Sequence, residues 1–220
     1  MAQEIRAVIF DMDGLLLDSE PIYERVWTDS TAAFGLNLTH DKFVQLLGRG
    51  RKGALEKLKD FFGDTIPLDA LNAEVSLREA RYFQETTLAP KKGALGLLDY
   101  LETKEIAKAV ATSNRGVIAE ERLTRAGLRE RFPVVITVDM VSKGKPAPDL
   151  FLKAAEALEC EPSTCVVLED SEQGIRAADA AGMRGVLVPD LLPPTAELRA
   201  LAHAVHEDLD RVRAWIAEVQ

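Results

Sequence analysis

The chain has 220 residues, 47% hydrophobic and 29% charged, with 36 acidic against 27 basic side chains and a net charge of −9. Such a composition excludes long disorder and supports one core with a modest insertion, burying roughly 70% of the unfolded surface without a disulfide or metal staple. The acidic balance, with no tight basic cluster, argues against a nucleic-acid partner. The N-terminal residues carry Glu4 and Arg6 and reach only a short apolar run, too short for a signal sequence or a membrane span. A monomeric, cytoplasmic protein with no nucleic-acid and no membrane partner is expected.

The first apolar run, residues 5–10, stops at Asp11 and has the form of a buried parallel strand. Residues 19–88 show no convincing strand, and their periodicity predicts helices at 21–34, 41–47, 50–62 and 67–87, separated by Gly48, Gly63 and Pro67. An all-helical block in that place reads as a small cap domain, 19–88, inserted into a core made of 1–18 and 89–220, with hinges near 18–21 and 88–93.

Beyond it, strand and helix alternate: helix 93–103, strand 106–112, helix 116–126, strand 134–138, helix 148–158, strand 165–168, helix 171–181, strand 185–188. Pro148 and an N-cap Ser171 open two of these helices, and Gly127 and Gly182 punctuate two ends. The alternation implies right-handed crossovers and an α/β fold, a doubly wound, Rossmann-like parallel sheet covered on both faces. Two further helices, 194–204 and 207–219, are expected after Pro189, and no chemistry is evident in them.

Cys160 and Cys165 lack C-x-x-C spacing and a nearby histidine, and read as reduced packing residues. His203 and His206, three apart, read as part of a surface helix, since no acidic or cysteine partner is spaced to complete a ligand set. Chemistry is expected instead at the carboxyl ends of the strands, where open parallel sheets bind ligands. Those ends carry Asp11-Met12-Asp13-Gly14, Ser113-Asn114, Ser142-Lys143-Gly144-Lys145-Pro146 and Glu169-Asp170-Ser171. Singly each is an ordinary turn or cap. Together, four polar clusters facing one crevice contribute little to stability and point to function.

Asp11, Asp13, Glu169 and Asp170 with Lys145 leave a net −3 before any ligand arrives. Crowded carboxylates protonate or recruit a cation, and an all-oxygen set suits Mg²⁺. A phosphate dianion tolerates such a crevice only if the metal bridges it to the carboxylates while Lys145, Ser113 and backbone N–H groups hold its other oxygens.

These residues resemble the four ordered motifs of the haloacid dehalogenase superfamily: Asp11-Met12-Asp13-Gly14, Thr112-Ser113-Asn114, Gly144-Lys145-Pro146-Ala147-Pro148-Asp149 and Glu169-Asp170-Ser171. The resemblance spans about residues 8–188, and the helical insertion is similar to the C1-type cap of the subgroup that includes β-phosphoglucomutase and phosphoglycolate phosphatase. The resemblance implies that Asp11 is a nucleophile forming an aspartyl phosphate, and that Asp13 is the general acid and base, giving its backbone carbonyl to the metal. It further implies that Lys145, Ser113 and Asn114, with the Met12 backbone, hold the phosphoryl group. Mg²⁺ is then expected on Asp11, Asp13, Glu169 and Asp170.

In the cap, Glu20, Tyr23 and Trp27 fall on one helix face close after the hinge, and Arg51 lies in the basic loop Gly48-Arg49-Gly50-Arg51-Lys52. Glu20, Tyr23 and Arg51 are candidates for substrate contact, with Trp27 read as packing and Arg49 and Lys52 also readable as solvated surface charges. Tyr23 stands where the similar mutase has a cap histidine, which weakens a mutase reading, and the presence of Asp13 argues against dehalogenation. The expected activity is a Mg²⁺-dependent phosphatase of small phosphorylated metabolites, sugar phosphates among them. A phosphosugar mutase is the first alternative. A non-enzymatic phospho-receiver module is a distant one, because such a module needs no helical lid.

Overall fold

In the computed structural model, which describes residues 4–220, the first apolar run becomes β1 (Ala7–Phe10), fully buried. The four helices of the insertion follow: α1 (Glu20–Ala32), α2 (His40–Val44), α3 (Gly50–Phe62) and α4 (Leu68–Glu85). Alternation then begins with α5 (Ala94–Thr103), β2 (Ala107–Thr112), α6 (Gly116–Arg125) and β3 (Val134–Thr137). It continues through α7 (Asp149–Ala157), β4 (Cys165–Glu169), α8 (Glu172–Ala180) and β5 (Arg184–Leu187). The chain finishes with α9 (Ala196–Leu201), β6 (Ala204–Val205) and α10 (Leu209–Val219).

The chain divides into two compact units, Met1–Asp18 with Ala89–Gln220, and Ser19–Leu88. In the first, all six strands pair in parallel in the order β3-β2-β1-β4-β5-β6, the doubly wound α/β architecture expected. Alternate residues of the central strands, Ala7, Ile9, Ala109, Ala111 and Val167, pack under Leu150, Phe151 and Ala154 of α7 and Ala177 and Ala178 of α8. The opposite face includes Phe10, which meets Phe132 edge-on at 5.6 Å. Removing both faces from water is what makes these strands continuous apolar runs rather than alternating ones.

In the second unit α1 packs along α4, burying Ile22, Val26 and Trp27 on one helix and Leu71, Val75, Tyr82 and Phe83 on the other. The Tyr82 hydroxyl is satisfied there: it donates to Asp29 at 2.6 Å and accepts from Arg78 at 3.1 Å.

The predicted helix at 194–204 is corrected. Only Ala196–Leu201 is helical, capped by the Thr195 hydroxyl, which accepts from the Leu198 N–H, and Ala204–Val205 add an edge strand to β5. The Gly185 and Leu187 carbonyls need donors, and the N–H groups of His203 and His206 supply them at 2.8 and 2.9 Å. The two histidines therefore flank a strand rather than sharing a helix face, with ring centroids 6.0 and 5.6 Å from Trp215.

Gly93 opens α5 with φ +84°, and a Cβ there would lie 2.4 Å from the Asp210 backbone nitrogen at the start of α10. Gly93→Ala should therefore cost about 2–4 kcal/mol, combining left-handed strain with a backbone clash, read as a lower midpoint in urea unfolding.

Candidate active site

β3 lies two strands to one side of β1, and the chain must cross over β2 and β1 to reach β4 on the other side. The connections leaving β1 and β4 therefore run to opposite sides of a topological switch point, where a crevice forms beyond the carboxyl ends of the strands. Register decides which residues meet there. Phe10 pairs with Val110 and Leu168, so the next residues, Asp11, Ala111 and Glu169, lie level. Lys145, on the loop after β3, closes across all three: its ammonium donates to Asp11, to the Ala111 carbonyl at 3.0 Å and to Glu169 at 2.5 Å.

The Lys145 side chain is 5% exposed and Glu169 is 0% exposed. Both oxygens of Glu169 are engaged, one by Lys145 and the other by the Ser171 N–H and hydroxyl at 3.2 and 2.9 Å. Ser171 also accepts from the Gly174 N–H at 3.1 Å, capping α8. Glycine at 174 is required by this packing, since a Cβ would lie 1.8 Å from the Glu169 carboxyl carbon. Carboxylate oxygens of Asp11, Glu169 and Asp170 lie within 4.8 Å of one another, an all-oxygen donor set that fits a hard divalent ion such as Mg²⁺.

Asp13 is gripped from the other side. Arg122 of α6 donates through one nitrogen to both its oxygens at 2.9 and 3.0 Å, and the Asn114 amide donates to Oδ2 at 2.5 Å. The same amide also donates to the Thr112 hydroxyl at 3.0 Å, so the side-chain donors of Asn114, expected on phosphate, are turned to Asp13 and Thr112. Ser113 is exposed at the end of β2. Met12 is fully buried, and its carbonyl accepts from the N–H groups of Leu16 and Leu17. The β2–α6 loop is pinned by Asp139, which accepts from the Gly116 N–H at 3.1 Å and the Thr137 hydroxyl at 2.5 Å. The Thr137 bond is the main reason the Asp139 carboxyl is held below its usual range.

Sequence reasoning missed Arg122 and Gly174. The signal for Arg122 was a charged residue inside the buried stripe Ala119, Arg122 and Leu123. By formal charge, Asp11, Asp13, Glu169, Asp170 and Lys145 together with Arg122 sum to −2 rather than −3.

Within the cap, Tyr23 packs edge-on against Phe83 at 5.1 Å, and Glu20 accepts from the Ser19 hydroxyl at 3.3 Å. Arg51 lies in the first turn of α3 rather than in a loop. It pairs with Glu79 and stands over the Trp27 ring, 5.4 Å from its centroid.

Burial pushes the Asp11 carboxyl up to about 7, against the pull of Lys145. Desolvation pulls Lys145 down, but Asp11 and Glu169 together outweigh it and leave the ammonium above its ordinary value. Between the unfolded value of 3.8 and about 7, the fold binds the Asp11 proton more tightly than the unfolded chain does. This contribution to stability is present below that window and lost as pH rises through it.

A divalent ion held by Asp11 would compete with its proton, so Mg²⁺ should raise the Tm of the wild type more at pH 8 than at pH 5.5, with Asp11→Asn flattening the difference, as calorimetry would check. Gly174→Ala should lower stability by about 1–2 kcal/mol despite alanine's better helix propensity, because Glu169 must move. The Mg²⁺-induced Tm shift should shrink with it.

Residues 5–182 match the family of haloacid dehalogenase-like hydrolases. The chain is 34% identical over 182 residues to a phosphorylated carbohydrates phosphatase of Thermotoga maritima, covering 83% of this chain and 84% of that protein. It is 32% identical over 188 residues to beta-phosphoglucomutase of Bacillus subtilis, covering 83% and 82%. Among solved structures it is similar to a HAD family hydrolase from Deinococcus radiodurans with bound phosphate and sodium, with a TM-score of 0.84 and 31% identity over 99% of this chain and 97% of that one. A match spanning most of the chain, together with relatives this similar over most of their own length, makes this chain a member of the haloacid dehalogenase-like hydrolases.

Proposed function

We propose that this hydrolase is a phosphatase of small phosphorylated metabolites, sugar phosphates foremost, acting through an aspartyl phosphate on Asp11. The observation that carries the reading is a buried carboxylate clamped by Lys145 at the end of β1, with a second carboxylate two residues on and two more at the end of β4. The phosphatase acting on phosphorylated carbohydrates and the phosphate-bound neighbour support the substrate class.

In the first step an Asp11 oxygen bonds to phosphorus as the bond from phosphorus to the leaving oxygen breaks, and that oxygen takes a proton from Asp13 to depart as an alcohol. In the second, a water oxygen bonds to phosphorus while its proton passes to Asp13, and the bond to Asp11 breaks to release phosphate. Lys145 holds Asp11 in place and sets positive charge beside the phosphoryl oxygens, and the Ser113 hydroxyl, with the Met12 and Asn114 backbone, lines the same end of the sheet. Asp11 and Asp170, with Glu169 and the Asp13 carbonyl, would hold Mg²⁺, which when bound supplies charge neutralisation for a loose, charge-rich transition state.

In the cap, Glu20, Tyr23 and Arg51 are the groups that would select the remainder of the substrate. Arg51 keeps one guanidinium nitrogen, Nη1, buried with no hydrogen-bond partner.

The likeness to beta-phosphoglucomutase favours a second reading, transfer of the phosphoryl group to another sugar hydroxyl. Tyr23 argues against it, since a phenol does not replace imidazole in proton transfer near neutral pH. With a hexose phosphate and Mg²⁺, free phosphate should accumulate and isomerised sugar phosphate should not, and a chelator should abolish release. Asp11→Asn should lower kcat by more than about 10³-fold and eliminate the phosphoryl adduct from mass spectra of quenched turnover.

A further inference from the structure

The side chain of Arg122 is 4% exposed, on the buried face of α6 beside Ala119 and Leu123. A guanidinium placed there loses its hydration, and a hydrophobic residue of similar volume would serve the core as well or better. The fold's own stability therefore does not account for an arginine at this position. What it reaches does: both oxygens of Asp13, at 2.9 and 3.0 Å.

Asp13 sits on the loop that leaves β1, its side chain 17% exposed. A carboxylate on such a loop has several staggered rotamers, and only one orientation presents an oxygen to the departing group. Arg122 comes from a helix, and that helix is itself fixed by the hydrogen bond from the Gly116 N–H to Asp139. Asn114, on the loop between β2 and α6, adds a second anchor on Oδ2. Two donors from one strand-loop-helix segment thus hold the Asp13 carboxylate.

We propose that Arg122 is a positioning residue for the reaction, fixing the Asp13 carboxyl in the orientation from which its proton reaches the leaving oxygen. The inference rests on the reading of Asp13 as the general acid. Arg122 itself touches no reacting atom. In the first step, which kcat/KM reports, its contribution should follow the leaving group's need for a proton: large for an alkyl phosphate, whose alkoxide must be protonated as it departs, and small for p-nitrophenyl phosphate, whose phenolate departs unaided.

The test compares kcat and KM of the wild type, Arg122→Met, Arg122→Lys, Asp13→Asn and the double variant Asp13→Asn/Arg122→Met. The substrates are glycerol phosphate and p-nitrophenyl phosphate, with Mg²⁺ present and the fold checked by circular dichroism. Arg122→Met should lower kcat/KM on glycerol phosphate by about 10²-fold and on p-nitrophenyl phosphate by less than about 10-fold. Arg122→Lys, which keeps the buried charge, should recover part of the loss, and the double variant should be no worse than Asp13→Asn. Equal losses on both substrates, no loss, or additive losses in the double variant would overturn the assignment. If Asp13→Asn discriminates between the substrates and Arg122→Met and Arg122→Lys do not, the Arg122 inference fails alone. If Asp13→Asn fails to discriminate, the general-acid reading fails, and this inference with it.

Discussion

A single buried ammonium organises the catalytic end of this molecule. Lys145 lies between Asp11 and Glu169 at the carboxyl edge of the sheet, almost out of contact with water. Burial by itself favours the protonated form of Asp11, and Lys145 pulls against it. Replacing the cluster by apolar residues would not weaken the fold, whereas removing one member would leave an uncompensated buried charge. The arrangement is therefore kept for what it does to Asp11: an aspartate placed where water is scarce, oriented by a cation, and still open to a divalent ion on the side of Asp170.

Much of the remaining architecture supports that contact. The parallel register brings Asp11, Ala111 and Glu169 level, which gives one lysine three acceptors. Ser171 ties Glu169 to the first turn of α8, and Gly174 leaves the space its carboxylate fills. On the opposite flank, Asp139 fixes the start of α6, which carries Arg122 to Asp13. Two carboxylates only two residues apart are thus given different surroundings: Asp11 a buried ammonium, Asp13 a guanidinium and an amide.

The helical insertion has an independent core and an independent polar network. Tyr82 joins α4 to Asp29 of α1, and Arg51 is held between Glu79 and the Trp27 ring. A cation restrained by a carboxylate and an aromatic face keeps its charge and loses little further freedom on meeting an anion.

By itself the sequence determined the order and nature of the elements and the four polar clusters, because buried parallel strands read as short apolar runs and each ended at a polar residue. The helical insertion was equally legible, from the absence of any strand pattern over 70 residues. Only the tertiary structure decided what depends on long-range pairing. The edge strand at Ala204–Val205 exists because β5 had unpaired carbonyls, a demand no local pattern announces. Above all, Arg122 meets Asp13 across more than a hundred residues, and a charged residue in an apolar stripe declares its purpose only when its partner's position is known.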